Sequence, residues 1–286
     1  MLPNFLIVGG MKCGTSALAH YLNEHPDVFI PGDELHFFNS EDAYKAGLKG
    51  YEECFRLHNG EAAVGEKTPT YSYHPLAPER IARALPDARL VWIFRNPVDR
   101  AYSHYWFFVS MGKERLSFEE ALAREPLRMK RDFTMAYRDR SVYSTQVKNY
   151  LNLFSRDQML FLLWEDLKRD PKLVLSKTCE FLGVRSDYEF TRVGTRRNVT
   201  YMPRSVSLQW LSYQLFSRKG ARILRQVKKL NRVDTAGYPP MSVATRRSLE
   251  SFFEPHNEEL SDLTGLNLSA WKRESIAVKE GQIVTV

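Results

Sequence analysis

Cysteine is scarce in this sequence: Cys13, Cys54 and Cys179 are the only three among 286 residues. They lie far apart and none has a second ligand at metal-binding spacing, so neither a zinc site nor a disulfide framework is offered. That usage fits a reducing compartment. Also missing is any apolar run near the 20 residues that a membrane-spanning helix needs, and the opening Met1-Leu2-Pro3-Asn4 carries no basic stretch of a secretory signal. The expectation is a cytoplasmic protein with no stable insertion into a membrane. Internal repeats and low-complexity tracts are absent too. Nor is one sign of charge in great excess: 41 Lys plus Arg against 34 Asp plus Glu gives a net charge of +7. Such a balance favours an anionic ligand without demanding a polyanion such as DNA, and a phosphorylated cofactor satisfies it.

Hydrophobic residues make up 43% of the chain and aromatics 13%, enough for one large core, so a single domain over residues 1–286 is expected. The apolar run from Asn4 to Val8 is followed by Gly9-Gly10-Met11-Lys12-Cys13-Gly14 and by a helical pattern from Thr15 to Asn23. That is a strand, a glycine-rich turn and a helix. Two further runs, Arg89 to Arg95 and Met159 to Trp164, are apolar at successive positions, as strands covered on both faces are. Helical patterns precede them at Pro75–Leu85 and Tyr143–Phe154. Others follow, from Asn96-Pro97 to about Val109 and from Pro171 to Leu182, with Gly183 as cap. The alternation predicts an α/β fold, a central parallel sheet flanked by helices on both faces, with ligands at the strands' carboxyl ends. Residues 1–183 read as a cofactor-binding core. Residues 184–286 read as a helical, basic part, with a polar stretch from Thr191 to Asn198, one helical segment from Ser205 to Leu230 with no obvious strand, and an amphipathic pattern from Val243 to Leu263 ending near Gly265.

The turn Gly9 to Ser16 is the first candidate site. Backbone amides, Lys12 and the hydroxyls of Thr15 and Ser16 gather at the positive end of a helix and make a cradle for a phosphate. It is not a Walker sequence, because Lys12 precedes Gly14 instead of following the second glycine.

With its neighbours this loop resembles the phosphosulfate-binding loop of sulfotransferases. Three more segments, in the right order, are similar to the heparan sulfate and related bacterial branch of that family. They are Gly32-Asp33-Glu34-Leu35-His36-Phe37-Phe38, Glu66-Lys67-Thr68-Pro69-Thr70-Tyr71, and Arg95-Asn96-Pro97-Val98-Asp99-Arg100-Ala101-Tyr102-Ser103. Weaker similarity continues at Arg140-Ser141-Val142-Tyr143, while the last third matches poorly. The resemblance implies a P-loop-like fold and 3′-phosphoadenosine 5′-phosphosulfate as donor, leaving adenosine 3′,5′-bisphosphate as product, with no metal required. It implies that Gly10, Met11, Lys12, Cys13, Gly14, Thr15 and Ser16 hold the 5′ side, and that Arg95 and Ser103 hold the 3′-phosphate. Tyr143 would lie near the nucleoside, and a basic loop with Arg196, Arg197 and Asn198 would close over the 3′-phosphate. Lys12 would steady the leaving phosphate, and Lys67, on a different loop, would contact the sulfonate or the acceptor. Glu34 would take the acceptor's proton. If that segment is extended, His36, two residues on, points the same way and orients the acceptor or shares the proton. The acceptor implied is a small molecule or carbohydrate; nothing in the sequence fixes oligomeric state. Members working in secretory compartments carry a membrane anchor and a C-terminal disulfide, which this sequence is expected to lack.

Two other readings remain open. An atypical nucleotide kinase would need a Walker lysine and a magnesium-binding acid, for which Asp99 is the sole candidate. A noncatalytic nucleotide- or polyanion-binding module would use the basic helix from Arg218 to Arg232. Trp106, Phe107 and Phe108 would line an acceptor cleft or, spread over different helix faces, join the core.

Overall fold

Three of the five core strands are short apolar runs with both faces covered, and helices join them to their neighbours. The computed structural model describes residues 1–194, 201–217, 220–233 and 237–273. Strand β1 (Phe5–Gly9) is followed by helix α1 (Thr15–Leu22), and a two-residue β2 (Val28–Phe29) precedes β3 (Ala63–Lys67). Helix α2 (Ala77–Ala84), β4 (Arg89–Phe94), α3 (Pro97–Met111), α4 (Tyr143–Leu151), β5 (Met159–Leu163) and α5 (Pro171–Leu182) complete the α/β core. The strands lie in the order β2-β3-β1-β4-β5 and every pairing is parallel. From β1 the chain moves one way to β3, then back past β1 to β4. With right-handed crossovers this places helices on both faces, and it leaves the end of β1 at the crevice where the direction reverses.

Asn96 starts α3 by accepting the Val98 and Asp99 amides on its side chain, with Pro97 in the first turn, where its missing N–H costs nothing. Gly183 ends α5 in a left-handed conformation at φ 75°.

The single helix expected over Ser205–Leu230 is instead two, α6 (Val206–Phe216) and α7 (Ala221–Leu230), broken at Gly220. The expectation that no strand lies there also fails. β6 (Met202–Pro203) and β7 (Arg232–Val233) pair antiparallel at the root of this hairpin, too short to show any alternation. Helix α8 (Val243–Thr264) then returns to α3 and α4. It places Leu249 and Phe253 in a second apolar cluster with Val98, Tyr105 and Phe118, while Leu260 and Trp271 join the main core.

Candidate active site

At the carboxyl end of β1 the chain turns through Gly10 to Gly14, and this loop is held from two sides. The Gly10 N–H donates to the Ile93 carbonyl at 2.8 Å and the Cys13 N–H to the Gly10 carbonyl at 3.1 Å, tying the turn to β4. The Tyr143 hydroxyl lies 3.4 Å from Cys13 Sγ and donates to the Arg95 carbonyl at 3.0 Å. One buried side chain from α4 thus braces both the loop and the end of β4. Gly14 has φ 93°, and a Cβ there would stand 2.2 Å from the Trp164 ring, so only glycine lets the loop close on that ring. Cys13 is wholly buried, and burial pushes its thiol up to about 11, which makes it a packing group and not a reactive one. Gly14 brings no side-chain cap to α1. The first-turn amides, those of Thr15 and Ser16 among them, are therefore left for a ligand at the positive helix end.

Lys12 extends over the Phe107 ring, its Nζ 4.5 Å from the centroid. Burial, and then the neighbouring Arg95, push its ammonium down to about 8. The two cations expected at opposite ends of one donor are thus close enough to repel each other. Ser103 is buried in the second turn of α3. Met11 packs against the second apolar cluster. The aromatic triplet divides: Phe108 is core, Phe107 lies under Lys12, and Trp106 stacks on Tyr238 at 5.8 Å.

Behind the loop sit two arginines that the sequence motifs contained but did not single out. Arg100 is fully buried in α3, donates to Ser141 Oγ at 2.7 Å and to the Tyr137 carbonyl, and has no partner for Nη1. Arg140 is only 3% exposed and lies 5.2 Å from the Tyr73 ring centroid, with Nε and Nη2 lacking hydrogen-bond partners. Burial, and next Arg100, pull Arg140 down to about 9, while Glu34 acts on it in the opposite sense. No carboxylate of the described residues is within ion-pair reach of Arg95, Arg100 or Arg140. Their burial could not be foreseen, because it depends on which turn packs behind the loop and not on local pattern.

The other wall carries the carboxylate. Lys67 Nζ donates to Glu34 Oε1 at 2.9 Å and to Ser16 Oγ at 3.3 Å, linking three segments. Lys67 was expected on a loop; it is the last residue of β3, missed because Glu66 and Lys67 interrupt the apolar run while both are buried. His36 Nε2 is 3.5 Å from Glu34 Oε2. The two meet, but not through an extended segment: His36 has φ 53°, and this left-handed turn brings its ring back to Glu34. Its Nδ1 lies 3.2 Å from Asn39 Oδ1, an oxygen that can only accept, so Nδ1 carries the hydrogen there and Nε2 of a neutral ring is left as an acceptor for an incoming hydroxyl or amine. Under this wall the fully buried Glu66 accepts from Tyr51, Thr68 and Tyr71 at 2.6, 2.7 and 2.8 Å.

Asp99 is engaged by Arg246 at 2.6 Å, which occupies the one acid the kinase reading had. Arg196, Arg197 and Asn198 lie outside the described residues. Arg204 is exposed and donates to the Arg232 carbonyl at 3.1 Å.

Residues 2–221 match the family described as sulfotransferase domain. The chain is 28% identical over 96% of its length to mouse bifunctional heparan sulfate N-deacetylase/N-sulfotransferase 4, of which it spans 32%. It is 30% identical over 92% of its length to mouse heparan sulfate glucosamine 3-O-sulfotransferase 3B1, of which it spans 64%. Among solved structures, a sulfotransferase from Alicyclobacillus acidocaldarius superposes with a TM-score of 0.73 at 32% identity, covering 96% of this chain and all of that one.

Proposed function

Since the chain belongs to the sulfotransferase family and is a sulfotransferase, we propose that it takes sulfonate from 3′-phosphoadenosine 5′-phosphosulfate and delivers it to a hydroxyl or amine of a carbohydrate or small natural product, with Glu34 as base. The observation that carries the donor assignment is the group of cations around the loop, half-buried Lys12 and Arg95 with buried Arg100 and Arg140, the last two with unsatisfied donors and no carboxylate of the described residues within ion-pair reach. Burying cations without counter-charge is expensive, and a ligand with phosphate at two positions offsets that cost. The two relatives named for heparan sulfate support a sugar acceptor.

The donor, when bound, supplies the sulfonate and a phosphate that departs with the electron pair of the broken sulfur–oxygen bond. Everything else falls to the chain. The Gly10–Gly14 loop, the α1 amides and Lys12 hold negative charge where it grows on the leaving side. Lys67 has three donors and reaches both Ser16 and Glu34, so it sits between the anion cradle and the base and can follow charge from one to the other. Glu34 accepts the acceptor's proton as the new oxygen–sulfur or nitrogen–sulfur bond forms, and His36 Nε2 orients the incoming group.

Adenosine 3′,5′-bisphosphate should therefore raise thermal stability more than ATP with magnesium does. At a hundredfold excess over Kd the expected gain is about 2.7 kcal/mol. Equal or greater stabilisation by ATP with magnesium would overturn the donor assignment.

Lys12 makes this binding pH-dependent. Its folded value near 8 lies below the ordinary 10.5, so its contribution to stability is present above 10.5 and lost as pH falls through 8. In the free protein, then, charging Lys12 costs stability; an arriving dianion restores the charge. Bisphosphate binding should take up a proton just above pH 8 and weaken as pH rises further. Titration calorimetry in two buffers of different ionisation enthalpy reads that proton, and Lys12→Met should abolish it. Proton uptake that persists in Lys12→Met would assign the effect to another group.

A further inference from the structure

The α6–α7 hairpin is built the wrong way round for a helix pair that covers a core. Helix α6 turns Gln209 and Ser212 inward, against α3, where Gly112 (φ 79°) leaves room: a Cβ there would stand 2.4 Å from the Gln209 carbonyl oxygen. Gln209 is answered by Asn231, whose Nδ2 donates to its Oε1 at 3.2 Å and to the Ser205 carbonyl at 2.8 Å. The leucines go outward. Leu208, Leu211 and Leu215, spaced three and four apart on one face, are 50%, 48% and 66% exposed. Helix α7 adds Ile223 and Leu230, the latter 76% exposed.

Between Phe190 and Val233 the sequence has no Asp or Glu and eleven Lys or Arg. Among the described ones, Arg204, Arg222, Arg225, Lys228 and Lys229 have no carboxylate of the described residues within ion-pair reach. Exposed apolar side chains and uncompensated cations thus share one hairpin. A second copy of the chain would set one basic surface against another. A soluble polyanion would satisfy the cations and leave the leucines in water. An anionic bilayer surface satisfies both, headgroups taking the cations and the acyl boundary taking the leucines.

We propose that the α6–α7 hairpin docks this enzyme on anionic lipid surfaces, lying in the interface without crossing it. The described residues contain no helix long and apolar enough to cross a membrane. The hairpin is fixed to the end of α3 through Gly112 and through Tyr201, whose hydroxyl donates to the Ser110 carbonyl at 2.7 Å. Phe107, which underlies Lys12, is on the same turn of α3 as Ser110, and its carbonyl accepts the Ser110 hydroxyl. Docking therefore fixes the transfer site relative to the lipid. The proposal does not depend on which acceptor or donor is used.

Co-sedimentation of the full chain with phosphatidylcholine vesicles, with and without one-third phosphatidylserine, tests it. Binding to the anionic vesicles should be at least about tenfold stronger and should fall with added salt, each cation near the surface contributing roughly fivefold. Leu211→Gln with Leu215→Gln should lower it about tenfold or more while leaving retention on a heparin column unchanged. Arg225→Glu with Lys229→Glu should lower both. An unchanged melting temperature and circular dichroism spectrum show that each variant is folded. The proposal fails if anionic vesicles are not bound, if the leucine pair has no effect on vesicle binding, or if that pair instead dissolves a dimer seen by analytical ultracentrifugation.

Discussion

Glu34→Gln should lower kcat by a factor of about 10² to 10⁴ while leaving bisphosphate affinity within about twofold. The amide keeps the size of the side chain and an oxygen for Lys67, which now donates to Glu34 Oε1 at 2.9 Å, so the wall stays in place. What it lacks is a site for a proton. Because an acceptor hydroxyl is a poor nucleophile until it is relieved of that proton, the loss falls on the chemical step and not on donor binding. Glu34→Ala would be a poorer test, since it also leaves Lys67 without its carboxylate and confuses positioning with proton transfer. Single-turnover measurement with labelled donor separates the two. Unchanged turnover in Glu34→Gln would remove the base assignment and leave Glu34 as a positioning group for Lys67.

Why some of this was legible in the sequence, and some not, follows from how far each signal reaches. The β1 strand, the loop and α1 are contiguous, and their glycines and lysine bear their meaning locally. Arg89 to Arg95 reads as a buried strand because it is apolar from Leu90 to Phe94 and ends at Asn96-Pro97, a helix start that the structure bears out in the Asn96 cap. Strand β3 does not read so, because its last two residues are charged and the partners that make them tolerable come from elsewhere: Tyr51 and Tyr71 for Glu66, Glu34 for Lys67. The left-handed turn at His36 escapes for a similar reason. A histidine with positive φ is uncommon, and the alternating pattern of an extended segment is the natural assumption. The buried positions of Arg100 and Arg140 are set entirely by tertiary packing. A guanidinium in sequence reads as surface, and only a fold that brings a short helical turn behind a phosphate loop makes it otherwise.

Glu66→Ala should cost about 4 kcal/mol of stability, a large share of what holds a domain of this size together. Three hydroxyls donate to this one carboxylate at 2.6 to 2.8 Å, and removing it would strand Tyr51, Thr68 and Tyr71 in a site with no water-exposed exit. Two of those hydroxyls pass the link onward: Thr68 Oγ1 accepts the His36 N–H and the Tyr71 hydroxyl oxygen accepts the Phe38 N–H, each at 3.4 Å. Glu66 therefore sets the path of the segment that carries Glu34 and His36, without touching the reacting atoms. Glu66→Gln, which keeps an oxygen for Tyr51 and Tyr71 and loses the acceptor for Thr68, should cost only about 1 kcal/mol. Burial raises the Glu66 carboxyl above its usual 4.5, its three hydrogen bonds opposing this only in part. A raised folded value means that its contribution is fully present below 4.5 and is lost as pH rises through the raised value. The wild type should therefore lose stability to urea over that window, and Glu66→Gln should show a flatter profile there. If the two profiles are parallel, Glu66 does not titrate in the folded protein; if Glu66→Ala costs under about 1 kcal/mol, the hydroxyls have found other acceptors and the network does not position the base.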